Sequence, residues 1–104
     1  MAIKLVHEKK EYMLTYNRAS VKIMEKKGFD VTTMGSKILT QTEQIFNGAF
    51  IANHGDLKVS EIEEIFVSVK DKNGLIGKLG EMLNETYSSL MEDPEKNGST
   101  WEEV

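Results

Sequence analysis

Hydrophobic residues change their spacing along this chain, and the change falls at Asn17. Before it, Ile3 and Leu5 alternate with Lys4, and Tyr12, Leu14 and Tyr16 alternate with Met13 and Thr15. A period of two marks strands, and Glu8-Lys9-Lys10 between the two runs fits a short polar loop. The expected element is a β-hairpin over residues 3–7 and 11–17. A two-stranded hairpin is marginal by itself, so its apolar face must pack on helices. After Asn17 the apolar spacing is helical, apart from a possible short strand at Val31-Thr32-Thr33. The expected fold class is therefore α+β: an N-terminal β-hairpin packed on a bundle of three to four helices.

Local punctuation places the helices. Asn17 is an N-cap for a helix over 18–27, since its side chain can accept a bond from a free first-turn amide. Lys26-Lys27 followed by Gly28 is the expected stop, with cations in the last turn and glycine just past it. Val21 and Met24 face inward, and Phe29 closes the corner. Ser36 is expected to cap a long helix over 37–54, with Ile38, Thr42, Ile45, Phe46, Ala49, Phe50 and Asn53 on one stripe. Gly48 and Ala49 there are small enough for another backbone to approach closely. Ser60-Glu61-Ile62-Glu63 resembles a capping box for a helix over 61–70 carrying Ile62, Ile65, Phe66 and Val69 inward. Residues 70–74 are expected to turn into a last helix over about 75–92. Its apolar face carries Leu75, Ile76, Leu79, Met82, Leu83, Tyr87 and Leu90.

At 104 residues the chain fits one domain of ordinary size, with enough surface to bury a core. Residues 92–104 hold turn residues, acids and little apolar surface. They are expected to form a mobile acidic C-terminal tail, leaving 1–91 as the globular domain.

Charge is divided unevenly. Residues 1–40 hold eight basic residues against four acids, and residues 41–104 hold five against thirteen, which gives the net charge of −4. Such a dipole suits head-to-tail association or a partner with patches of both signs. The acidic balance opposes non-specific binding to nucleic acid, although Arg18, Lys22, Lys26 and Lys27 make one basic helix.

The chain has no cysteine, which excludes disulfide scaffolds, thiol nucleophiles and cysteine-bearing metal sites. His7 and His54 lie in no recognisable catalytic string, and no P-loop, GxGxxG turn or HExxH helix occurs. Asp71-Lys72-Asn73-Gly74 resembles the middle of a calcium loop. However, the first and twelfth places then fall on Val69 and Gly80, which offer no carboxylate. The expectation is no catalytic residue, no metal and no cofactor: a binding protein, not an enzyme. No apolar run approaches the length of a membrane span, and the first residues lack the apolar stretch of a signal peptide, so a cytosolic location is expected.

Three strings carry a family resemblance: residues 12–29 (YMLTYNRASVKIMEKKGF), residues 46–54 (FNGAFIANH) and residues 75–85 (LIGKLGEMLNE), followed by the acidic stretch with Trp101. Together they resemble the tail assembly chaperones of long-tailed phages and prophages of Gram-positive bacteria. The resemblance covers about residues 10–104. It implies a protein of the host bacterial cytoplasm that coats the tape measure protein and keeps it soluble until tail tube subunits polymerise. It also implies no catalytic residues. The alternative readings are a small DNA-binding or repressor-binding regulator and a structural virion component. Homo-oligomers are possible through the hairpin edges.

A chaperone for a long helical client needs apolar surface that adapts to it. Flexible methionines suit that task, and the chain has six. Met13, Met34, Phe50 and Met91 are the expected partner contacts. Gly77 and Gly80, one helical turn apart, mark either a tight internal helix crossing or a groove for a partner.

Overall fold

The computed structural model describes residues 2–104. Strands β1 (Ile3–His7) and β2 (Lys10–Leu14) form an antiparallel hairpin, and five α-helices follow. These are α1 (Arg18–Lys26), α2 (Ile38–Gly48), α3 (Ile51–His54), α4 (Val59–Ser68) and α5 (Lys72–Leu90), with α3 a single turn. The fold is α+β, as the change of period requires.

The hairpin register pairs His7 with Lys10, so the loop is only Glu8-Lys9. Both residues are left-handed, with φ of 49° and 68°. A two-residue type I′ turn requires this at both positions, which is why asparagine and glycine are preferred there. L-residues with longer side chains cost roughly 1 kcal/mol or more each in this region. Glu8→Asn combined with Lys9→Gly is therefore expected to raise stability by about 1–2 kcal/mol, read as a higher urea midpoint at unchanged slope.

Helix α1 starts and stops as its residues dictate. Asn17 Oδ1 accepts from Ser20 N–H at 2.8 Å, and Ser20 Oγ accepts from Asn17 N–H at 2.9 Å. At the other end Gly28 has φ +101°, Phe29 N–H donates to Met24 C=O, and Gly28 N–H donates to Glu25 C=O. This pair of bonds is a Schellman motif, and its usual apolar contact is supplied by buried Met24 and Phe29.

The connector after Phe29 is a 3-10 turn over Val31–Thr33, where a short strand was expected. Asp30 decides this: its carboxylate accepts from Thr32 N–H at 2.9 Å and Thr32 O–H at 2.6 Å. The hydroxyl bond and then the amide bond hold that carboxyl below its usual range. Ser36 does not cap α2; its hydroxyl donates to Thr33 C=O, and Lys37 stands at the cap position.

The expected helix over 37–54 is two helices. Ala49 N–H is shared between the carbonyls of Ile45 and Phe46, and Phe50 N–H bonds Asn47 C=O, so the backbone tightens there. The Ala49 carbonyl instead accepts from Thr15 N–H at 3.1 Å, which ties the end of the hairpin to the break. That bond is the expected backbone approach at Ala49, whereas at Gly48 the space is filled by a side chain. A Cβ at Gly48 would meet Met24 Sδ and lie 2.6 Å from Met24 Cε.

Two later helices begin upstream of the expected points. In α4, Glu61 Oε1 accepts from Lys58 N–H at 3.3 Å, so Lys58, not Ser60, is the cap. In α5, Asp71 takes a left-handed conformation with φ 56° and its Oδ1 accepts from Gly74 N–H at 3.1 Å. The expected turn over 70–74 is thus largely the first turn of α5.

Helix α2 is central and packs against α1, α4 and α5, while α3 packs against β2. The core joins Leu5, Leu14 and Tyr16 from the hairpin side to Val21, Met24, Ile45, Phe46, Phe50, Ile62, Ile65, Leu79, Met82 and Leu83. Tyr16 O–H donates to Ile45 C=O at 2.7 Å, and burial pushes its phenol well above the usual range. Tyr87 O–H donates to Glu25 at 2.9 Å, linking α5 to α1. Partial burial first, and then the Glu25 bond and charge, push its pKa up to about 12. Residues 92–104 contain no helix or strand and lie exposed.

Candidate functional site

The expected contact residues fall on separate parts of the fold. Met13 lies exposed on the outer face of β2. Met34 lies exposed between the 3-10 turn and α2, and Met91, at the end of α5, is 84% exposed. Phe50 does not belong with them. It is 1% exposed, with ring centroids 5.1 Å from Phe46 and 5.7 Å from Tyr12. The reading of Phe50 as a partner contact is corrected: the tightened backbone at 49–50 turns this ring under the hairpin, where it is core.

His54 is likewise a structural group. Its Nε2 accepts from Met13 N–H at 3.1 Å, and Asn53 Nδ2 donates to Met13 C=O at 3.1 Å. The His54 ring also meets Tyr12 edge-on at 5.1 Å. These two side chains, together with Ala49, occupy the outer hydrogen-bonding edge of β2. The sequence reading put Asn53 on the inward stripe and His54 at the helix end, and neither as a partner of β2. Their polar pairing at a helix terminus beside an apolar stripe was the available signal.

The most exposed apolar pair on a helix includes Ile38, which the sequence reading placed on the apolar stripe of α2. Ile38 is 74% exposed and Leu39 72%. Ile38 stands on the stripe that buries Ile45 and Phe46, but the first turn of α2 overhangs its neighbours, so the stripe has nothing to face there. Gln41 holds this corner in shape. It is buried, its Oε1 accepts from Gly35 N–H at 2.7 Å, and its Nε2 donates to Thr33 C=O at 2.8 Å. These bonds tie the 33–35 loop, and Met34 with it, to the second turn of α2. Three apolar side chains are thereby displayed on a fixed backbone. A pre-ordered apolar corner can bind an apolar stripe of a partner without first paying to order itself.

Gly77 and Gly80 take no part in an internal crossing. A Cβ at either would meet no atom within 4 Å. The tight-crossing reading is therefore set aside, and the glycines leave a shallow open stretch on α5. Each weakens the helix by about 1 kcal/mol relative to alanine. Gly77→Ala and Gly80→Ala are each expected to stabilise the fold by about 1 kcal/mol, measured by urea unfolding.

Between α1, α2, α3 and α4 lies a cleft of about 220 Å³ floored by Met24, Phe50 and Ile62, with Lys27, Gln44 and His54 on its lining. Beside β1 runs a second groove of about 370 Å³. Among the described residues, no group of three or more His, Asp or Glu side chains is placed to hold a metal ion. No helix there is long and apolar enough to cross a membrane. No curated protein and no solved structure matches the chain. A family model described as "Domain of unknown function (DUF5055)" matches residues 1–103, and the chain belongs to that family.

Proposed function

We propose that this protein is a phage tail assembly chaperone, which binds the tape measure protein and keeps it soluble in the host bacterial cytoplasm during tail assembly. The observation that carries the reading is the fixed apolar corner of Met34, Ile38 and Leu39. A long helical client exposes apolar stripes until the tail tube encloses it, and those stripes need a matching surface. The three sequence strings that resemble tail assembly chaperones support the same reading. The same resemblance adds tail tube subunits, which polymerise around that client, as a second partner. The task is binding, not catalysis.

Size-exclusion chromatography of the purified protein mixed with the tape measure protein tests this. Co-elution in one peak is expected. Separate elution of both at micromolar concentration contradicts it.

A further inference from the structure

The two edges of the hairpin are treated differently. On β2 the outward N–H and C=O of Met13 are taken by His54 and Asn53, and Thr15 N–H by Ala49. Met13 pairs with Lys4 in the register, so the corresponding groups of Lys4 point outward from β1, as do those of Val6 two residues on. Among the described residues nothing bonds these outward groups. An uncovered strand edge of this kind is a template for another strand.

A groove accompanies this edge. Its lining includes Ile3, Leu5, Val69 and Leu75, with Lys70 and Lys4 carrying positive charge on it, Lys4 lying 3.7 Å from the exposed Glu11 carboxylate of β2. The chain also holds a segment that matches the groove in chemistry. Residues 92–104 carry five acids against one lysine. Trp101, the sole tryptophan of the chain, is 89% exposed there. In an extended segment, side chains alternate between faces. Trp101 and Glu103 then share one face, and Glu102 takes the other.

We propose that the segment around Trp101 of one copy adds as a strand to the free edge of β1 in a second copy, giving head-to-tail association. Trp101 enters the apolar groove beside Leu5 and Leu75. Glu103 follows it on the same face toward Lys70, while Glu102 meets Lys4 on the outer face of the hairpin. The edge amides and carbonyls of Lys4 and Val6 bond the incoming backbone. Charge complementarity selects a second copy as the occupant, because the acidic segment and the basic groove are both built into this chain. The segment lies exposed over its whole length. A heterologous contact of this type propagates into rings or open chains. This inference does not rest on the identity of the client.

Trp101 is its own reporter. Its emission is expected to shift to the blue as protein concentration rises, together with an increase in mass by light scattering. Lys4→Glu with Lys70→Glu in one variant, and Glu102→Lys with Glu103→Lys in another, are each expected to weaken self-association at least about tenfold. Mixing the two variants is expected to restore association, because the intact tail of the first meets the intact groove of the second and the reversed tail of the second meets the reversed groove of the first. The four positions are exposed and the tail lies outside the core, so circular dichroism is expected to be unchanged. A blue shift independent of concentration would show docking within one copy and overturn the proposal. So would a mass that stays monomeric throughout, or association that survives both charge reversals.

Discussion

Replacing Ile38 and Leu39 together by glutamate is expected to lower affinity for the proposed client, the tape measure protein, at least about 100-fold while leaving the fold intact. Burying a leucine or isoleucine side chain contributes roughly 1.5–3 kcal/mol, so two contribute about 3–6 kcal/mol. Each 1.4 kcal/mol is about tenfold in affinity, and the low end of the range already gives about 100-fold. The fold tolerates the change for a separate reason. Both residues are mostly in water already, and they occupy the first turn of α2, which has no acidic residue. Carboxylates at a helix N-terminus are favoured by the helix dipole, by about 0.3–1 kcal/mol each. The double variant is therefore expected to unfold at an equal or slightly higher urea concentration. A variant that bound its client as well as the parent protein would remove this corner from the account.

Phe50→Ala is expected to do the reverse: cost about 3–5 kcal/mol of stability, with any loss of binding following from unfolding. Phe50 meets Phe46, Tyr12 and the His54 ring, so one truncation loosens the hairpin, the break after α2 and the helical core together. Domains of this size have about 5–15 kcal/mol in total, so the variant should be marginal at 37 °C. Urea unfolding followed by far-UV circular dichroism measures it. A loss below about 1 kcal/mol would contradict the placement of this ring in the core.

Ile38 and Phe50 show what the sequence disclosed and what it withheld. Both lie on one stripe of helical period, and the period correctly puts Ile45, Phe46, Ala49 and Phe50 inward. Period alone does not show how far the neighbouring elements extend, and so Ile38 was placed in the core although nothing covers it. Nor does it show that the Ala49 carbonyl bonds Thr15, a partner distant in sequence, which splits the helix in two. Punctuation was legible where a single residue type is needed, as with Asn17 before α1 and Gly28 after it. It was misread where the helix begins slightly upstream of the residue that looked like its cap. Lys58 precedes Ser60, and Asp71 precedes the Asn73-Gly74 pair that looked like a turn. The connector after Phe29 was read from the β-propensity of Val31 and two threonines, and the Asp30 carboxylate overrides that propensity locally.

For the candidate site, the methionines were legible because flexible apolar side chains suit adaptable contacts, and Met13, Met34 and Met91 are exposed. The corner to which Met34 belongs was not, because it depends on Gln41 reaching back to the 33–35 loop. A glutamine inside a helix looks the same in sequence whether it faces water or clamps a loop. The glycines of α5 were seen but assigned two opposite reasons, and only the open space around them decides between those.

The measurement that bears most directly on the account is the soluble fraction of the tape measure protein when it is made in the same cells as this chain. The parent chain is expected to keep it in the supernatant after centrifugation, and the Ile38→Glu, Leu39→Glu variant, folded and equally abundant, is expected to leave it in the pellet. A tape measure protein equally insoluble with and without the parent chain would contradict the chaperone reading.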